Sequence, residues 1–337
     1  MLFMLRHAVR TQEGAVGLTV VLLALLIGVV NPAFFSVANL FDLLRSMTVE
    51  VLFALGVLIV IASGGIDVSF TAVAITALYS SVRLLNGLEY TGDMWLPYLL
   101  AALIGGGLGL LNGLLIALFR LPPLIVTLGT QSLFRGFLLF FVGSIIIRDL
   151  PEAMNTFART NLVTLTMANG TLASLHSAVL LPVVVAFVTW LVLRYTLPGR
   201  SIYALGGAPE SAERVGFHVK RTQVVIYVFV GVLAGIAGMT YGVLNRQANP
   251  FDLVGSELDV IAAVVLGGAS ITGGRGSVLG TLLGVALITL ITNSLILIGI
   301  PSTWQRVVVG AIILVGTGIS AYQSRASERY TATSNAH

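Results

Sequence analysis

The chain has 337 residues, 57% of them hydrophobic and 9% charged, with a formal net charge of +4 and no cysteine. Its mean hydropathy is +0.99. So few charged side chains cannot cover a water-soluble domain, whose usual share is about 25%, and lipid is therefore the solvent for most of the chain. The lack of cysteine excludes a disulfide framework and a thiolate metal site.

The first stretch, "MLFMLRHAVRTQEGAVGLTVVLL", sets Arg6 and Arg10 before an apolar run, as a signal peptide would. The small pair Ser36 and Ala38 follows the bulky "PAFF", a poor cleavage context, so the run reads as an uncleaved first helix. A helix needs about 20 apolar residues to cross the hydrocarbon core. Runs of that kind predict ten crossings: 14–32, 44–63, 68–86, 96–119, 122–143, 174–195, 222–244, 257–271, 276–299 and 302–321. The predicted fold is an all-α polytopic membrane protein of about ten transmembrane helices, one transmembrane domain over 1–337. Sidedness follows from basic residues, which concentrate in cytoplasmic loops. With the N-terminus inside, Arg6, Arg10, Arg120, Arg194, Arg200, Arg214, Lys220, Arg221, Arg275, Arg325 and Arg329 are cytoplasmic. Arg45, Arg83, Arg148, Arg159, Arg246 and Arg306 are external. Eleven against six places both termini in the cytoplasm.

Between the second and third crossings lies "VIASGGIDVSF", a glycine pair ending an apolar run. Its Asp67 has two readings, a residue of a pathway or gate, and an N-cap of the third helix. The fourth crossing carries Gly105, Gly109, Gly113 and Ala117 at every fourth position, one face on which another backbone can approach closely. Neutral polar residues gather here and in the fifth crossing: Asn112, Thr127, Thr130, Gln131 and Ser132. They suit a route for a hydroxyl-rich solute, and equally suit hydrogen bonding between helices. Arg135, in the same helix, either pairs with an acidic group or snorkels. Segment 144–173 is too polar to span and reads as an external amphipathic helix or cap.

The loop 196–222 is a charged island between long apolar runs. Pro209 suits a first helical turn, Glu210 and Glu213 complement its dipole, and Gly216 suits a stop, which predicts a short helix over 209–215. Ala212 and Val215 would share an apolar face, giving an element able to dock in a partner's groove. A second glycine break, "VVLGGASITGGRGS", follows the eighth crossing. As with the first, a carboxylate precedes the run, Glu257 here and Glu50 there. Gly-interrupted segments of this kind mark transport paths. Gly276, Gly280 and Gly284 repeat the four-residue spacing of packed glycines in the ninth crossing.

Enzyme signatures are missing. The single lysine, Lys220, has no glycine-rich loop before it, and neither HExxH nor GxSxG occurs. The chain therefore does not hydrolyse nucleotide by a Walker-type loop, and the missing motifs argue against a membrane enzyme.

Four stretches taken together, "SGGIDVSFTAV" (63–73), "GLLNGLLIALFRLPPLIVTLGTQSLFRG" (109–136), "GRSIYALGGAPESAERVGF" (199–217) and "ELDVIAAVVLGGASITGGRGSVLGTLLG" (257–284), resemble the permease subunits of bacterial ABC importers for ribose and related monosaccharides. That branch includes permeases for autoinducer-2 and, more distantly, for branched-chain amino acids. The resemblance implies a non-catalytic subunit of the bacterial inner membrane, forming the translocation path for a sugar or sugar-like solute. It implies a coupling helix with Pro209, Ala212, Glu213 and Gly216 in the matched positions, docking on a separate ATPase that binds ATP and Mg. It further implies an external sugar-binding protein, a second permease copy, identical or homologous, and no cofactor on this chain. The chain departs from the pattern at Val68 and Phe70, where leucine and a small residue are usual. An ion-coupled secondary transporter is the alternative, for which Asp67 and Arg135 are the only buried coupling candidates.

Overall fold

The computed structural model describes residues 11–167 and 170–297, with positions 299, 304, 307, 310 and 311. The long helices, in chain order, are α1 (Gln12–Val30), α2 (Val37–Ala62), α3 (Phe70–Gly87), α4 (Trp95–Phe119) and α5 (Pro123–Phe137). Then come the short α6 (Glu152–Phe157), a hairpin of β1 (Asn161–Thr166) and β2 (Leu172–His176), and α7 (Leu180–Tyr195). Two short helices, α8 (Leu197–Gly207) and α9 (Pro209–Arg214), lead into α10 (Val219–Asn245), α11 (Glu257–Leu266) and α12 (Val278–Leu297). Among the described residues, seven helical segments are long and apolar enough to cross a bilayer. They are built on α1, α2, α4, α5, α7, α10 and α12. The predicted tenth crossing, 302–321, lies almost wholly outside the described residues.

Side-chain chemistry sets the helix ends. Thr11 caps α1 by accepting from Gly14 N at 3.2 Å, and Ser36 caps α2 from Asn39 N at 3.2 Å. Arg120 and Arg246 close α4 and α10 in the left-handed region, with φ of 54° and 53°.

In lipid, apolar side chains gain little by leaving the solvent, so helices associate by close van der Waals fit. α10 is the hub of that fit. Its Gly231 and Gly235 meet α4 at Gly105, Gly109 and Ala101, backbone against backbone. A Cβ on Gly109 would lie 3.1 Å from the Gly231 Cα, and one on Gly113 would lie 2.9 Å from the Val224 Cα. Gly238 of α10 approaches Ala74 of α3 in the same way. α2 is buried from Val51 to Ala62, whereas α1 presents Leu22, Leu26 and Val29 outward. The second glycine set divides. Gly280 and Gly284 seat α12 on α11, at the carbonyls of Gly267 and Ala263. Gly276 does not share their helical face: it sits in the turn before α12, φ +153°, against Leu58 and Ala269.

Two predicted segments differ in form. The eighth, 257–271, is the ten-residue α11, about 15 Å long and too short to cross alone. An apolar run buried inside protein reads the same as one that spans. The segment 144–173, predicted as an external helix or cap, holds the short helix α6 but also most of the antiparallel hairpin, and an isolated bridge ties Ile147 to Ala248 after α10.

Candidate functional site

The first glycine break is an irregular segment, Ser63 to Ser69, held inside the bundle. Backbone at such depth must find protein partners. Thr127 of α5 supplies two, accepting from Val68 N and donating to Ile66 O, each at 3.3 Å. Asp67, 3% exposed, accepts from Ser69 N and Ser69 Oγ at 2.7 Å each. Asn112 of α4 donates to that same Ser69 Oγ at 2.8 Å. Asp67, Asn112 and Thr127 thus converge on one segment. The capping reading of Asp67 is corrected: α3 starts at Phe70, Ser69 is its N-cap, and Asp67 clamps the turn before it. Two buried polar atoms here lack a partner among the described residues, the Asn112 side-chain oxygen and the Tyr227 hydroxyl beside Gly65.

Gln131 belongs to a second cluster. Arg135 pairs with Glu257 at 2.6 Å and donates to Thr71 Oγ1 at 3.2 Å. Gln131 donates to the same Glu257 oxygen at 2.7 Å, and the Thr71 hydroxyl completes the set. Arg135 therefore pairs and does not snorkel. Its partner stands 122 positions away, which no local pattern reveals. Glu257 opens α11, so the ion pair fixes the start of that half-helix against α3 and α5.

The two glycine breaks meet each other, and α8 meets both. Gly274 N donates to Ala62 O at 2.9 Å, joining the end of α2 to the loop after α11. Gly206, in the last turn of α8, fills the gap between them. A Cβ there would overlap the Ala62 carbonyl and lie 2.5 Å from Gly274 N. A Cβ on Gly273 would lie 2.8 Å from the Cα atoms of both Gly206 and Gly64. Tyr203 of α8 adds a hydrogen bond to Gly276 O at 2.8 Å. This three-way junction was not foreseen. The sequence did carry its sign, glycine pairs at 64–65, 206–207 and 273–274.

α9 leaves the junction directly. It runs from Pro209 to Arg214 and ends as predicted in a left-handed Gly216, φ +94°. Phe217 N donates to Ala212 O at 3.1 Å, which satisfies a terminal carbonyl. Ala212 is 3% exposed and Val215 is 74% exposed. The predicted shared face is corrected accordingly: Ala212 points into the body as an anchor. The free surface is Glu210, Ser211, Glu213, Arg214 and Val215.

At the far end of the bundle, about 40 Å along α10 from α9, α2, α10, α11 and α12 separate around a cavity of about 810 Å³. Its polar lining includes Asp42, Ser46, Glu50, Asn245, Asp259 and Asn293. The α2 wall runs from Asn39 down to Phe53, about 21 Å of helix. None of Asp67, Asn112, Thr127 and Gln131 lines it.

Crossing helices, a broken helix, a half-helix and an aqueous-sized recess among them define a multi-pass membrane permease. The chain belongs to the family described as branched-chain amino acid transport system / permease component, whose pattern matches residues 39–316. It is 36% identical over 295 residues to the ribose import permease protein of Bacillus subtilis (strain 168), covering 87% of this chain and 88% of that one. It is 33% identical over 325 residues to the galactose/methyl galactoside import permease protein of Escherichia coli (strain K12), covering 92% and 94%. It is 36% identical over 296 residues to the fructose import permease protein of Bifidobacterium longum (strain NCC 2705), covering 86% and 81%. No solved structure matches.

Proposed function

We propose that the chain is the permease subunit of an ATP-driven importer for a neutral sugar or sugar-like solute. It contributes the path and binds no cofactor, and a separate cytoplasmic ATPase binds ATP and Mg. The observation that carries this reading is the junction at Gly64, Gly206 and Gly273. It connects an exposed short helix, α9, to both irregular segments of the membrane bundle. The exposed, charged face of α9 favours this reading over an ion-coupled secondary transporter.

In this reading α9 is the coupling helix. Pro209 starts it, Ala212 roots it, Glu213 and its neighbours meet the ATPase, and Gly216 ends it. Closure of the ATPases moves α9 and α8, and the junction passes that displacement to the 63–69 segment and to α11. Asp67, Asn112, Thr127 and Gln131 are groups of the path or its gate. The unpartnered Asn112 oxygen and Tyr227 hydroxyl support this, since buried polar atoms without partners are rare and suit a second arrangement. The remaining parts are about ten transmembrane helices with both termini cytoplasmic, a bacterial inner membrane, an external sugar-binding protein and a second permease copy. The sugar names of the relatives favour a monosaccharide.

The test is substitution on the free face of α9. Val215→Asp and Glu213→Arg should leave the protein folded and membrane-inserted, while sugar uptake and solute-stimulated ATPase activity of the assembled importer fall together. Full retention of both activities would refute the docking assignment. Because the chain has no native cysteine, Glu213→Cys also reports sidedness. Labelling of that thiol by an impermeant reagent from outside intact cells would place α9 on the wrong face.

A further inference from the structure

The rim of the far end holds a second recess, of about 460 Å³, which none of the path residues lines. Three cations from three separate parts of the chain meet there: Arg45 of α2, Arg159 ahead of β1 and Arg246 at the end of α10. None of them makes an ion pair among the described residues. Arg45 donates to Leu244 O at 2.6 Å and Arg246 to Ala158 O at 3.4 Å. Those bonds to neutral carbonyls fix the guanidinium groups and leave their charge uncompensated. Asn161, Ser174 and His176 share the polar wall. His176 is 7% exposed, and its Nδ1 accepts from Ala178 N, which leaves the proton on Nε2. That N–H meets no acceptor at hydrogen-bonding geometry among the described residues. Guanidinium forks beside neutral donors are the surroundings that a phosphate oxyanion needs.

Depth and an adjoining groove indicate what carries the phosphate. The predicted crossings 44–63, 174–195 and 222–244 each have one end at this recess, beside Arg45, Ser174 and Asn245. It therefore lies at the boundary of the hydrocarbon core, the level of lipid headgroups. An apolar groove of about 400 Å³ runs between α2, α7 and α12. It starts beside the recess in the chain: Leu44 precedes Arg45, and Val179 follows His176 by three positions. From Val179 to Trp190 it follows about 16 Å of helix. That is the depth of one leaflet of a core about 30 Å thick. Val51, Phe187 and Leu282 line it, and its Thr48 hydroxyl is engaged by Leu44 O at 2.9 Å. The hairpin beside the recess also suits a lipid interface. Its exposed Leu165 and Leu172 fall on opposite faces, so both faces meet apolar surroundings, which a single docking face would not explain.

We infer that the recess and the groove together hold one phospholipid with a net negative headgroup. Its phosphate lies among Arg45, Arg159 and Arg246, and an acyl chain runs down the groove toward Trp190. Arg45, Leu244 and Asn245 line the 810 Å³ cavity as well, so the bound lipid fixes part of that cavity's rim.

The experiment uses Trp190 as its reporter, with Trp95→Phe and Trp304→Phe removing the other two tryptophans. The full chain is reconstituted in phosphatidylcholine vesicles. They contain a varied fraction of phosphatidylglycerol or phosphatidylcholine brominated on the acyl chains, which quenches a tryptophan it touches. Brominated phosphatidylglycerol should reach half its maximal quenching at about a tenth of the fraction that brominated phosphatidylcholine needs, since each basic residue near the surface favours an anionic lipid about fivefold. Arg159→Gln combined with Arg246→Gln should bring the two lipids level. Quenching by brominated phosphatidylcholine should stay at the parent's value, which shows a folded chain with Trp190 still facing lipid. Arg194→Gln, at the opposite end of α7, should leave the preference intact. Absence of any preference in the parent overturns the site and leaves the arginines to an acidic protein surface. Loss of the preference in Arg194→Gln, with the recess pair without effect, overturns it too, because the anionic lipid then sits in the other leaflet. Inorganic phosphate separates the remaining source. If it raises the thermal stability of the chain in detergent through Arg159 and Arg246 while vesicles show no lipid preference, the recess takes a soluble anion and the lipid assignment is wrong.

Discussion

The two ends of this bundle are built on opposite principles. At the α9 end, Gly64, Gly206 and Gly273 bring three backbones together with no room for a methyl group. At the far end the same helices stand apart around about 810 Å³. α2 lines the cavity from Asn39 to Phe53 and ends in the junction at Ala62. α11 lines it at Asp259 and Ala263, then runs into the junction loop, and α12 emerges from that loop to line it at Val285 and Asn293. In the proposed importer, helices pinned at one end and spread at the other would pivot about the pinned end. Packed interfaces of this kind have discrete arrangements and do not deform smoothly, so a small shift at the junction would be amplified at the cavity.

Between the two ends lies the ion pair that seats α11. Breaking it should cost the most. Arg135→Ala leaves Glu257, 5% exposed, as a buried charge without its cation. Loss of one partner of a buried pair costs about 3–5 kcal/mol. The variant should show a large fall in thermal stability in detergent. Arg135→Met combined with Glu257→Gln should recover most of it, since the uncompensated charge is then gone. Equal stability of the single and double variants would show that the pair does not hold α11.

The next effect separates packed from open within two adjacent residues. Gly206→Ala drives a methyl into Ala62 and Gly274, both backbone, and overpacking of that kind costs about 1–3 kcal/mol. At Gly207 a Cβ meets nothing within 4 Å, and Gly207→Ala should be neutral or slightly stabilising. Coupled transport should be lost in the first and kept in the second. Equal transport in both variants would remove the junction from the coupling route.

Much of this was legible in the sequence, for a physical reason. Apolar length reports a helix in lipid directly, and Pro209 with Gly216 bounds α9 without any tertiary information. What escaped, the hairpin apart, shares one property: it depends on pairing across the chain. The run at 257–266 is as apolar as a crossing, and only its burial between α2 and α12 makes it a half-helix. Arg135 showed its need for a partner but not Glu257. The cavity draws polar residues from four helices, and although Glu50 and Arg45 stood out in the sequence, nothing local brings them together with Asn245, Asp259 and Asn293. The hairpin had a local sign, the alternation of Val163 and Leu165 with threonines, in a segment judged on polarity alone.

The smallest effect is confined to the rim beside the open end. His176 closes β2 in a polar recess with Arg45, Arg159 and Arg246. Burial pushes its imidazole below the ordinary 6.5, Arg45 and Arg246 push it further, and the backbone at Phe157 and Ala158 opposes them. Its Nδ1 accepts from Ala178 N at 3.0 Å, a bond that only the unprotonated nitrogen can make. The folded state therefore holds His176 neutral, while the unfolded chain takes up a proton below 6.5. The stability it contributes is fully present above 6.5 and is lost as pH falls through that value toward the lower folded one. Thermal unfolding in detergent from about pH 7.5 to about pH 5.5 should show a modest decline that His176→Gln reduces. Gly206→Ala should leave that pH-dependent part unchanged, because the junction is at the other end of α10. If the junction variant abolished it, the rim and the pinned end would be one cooperative unit, and the pivot between them would not exist.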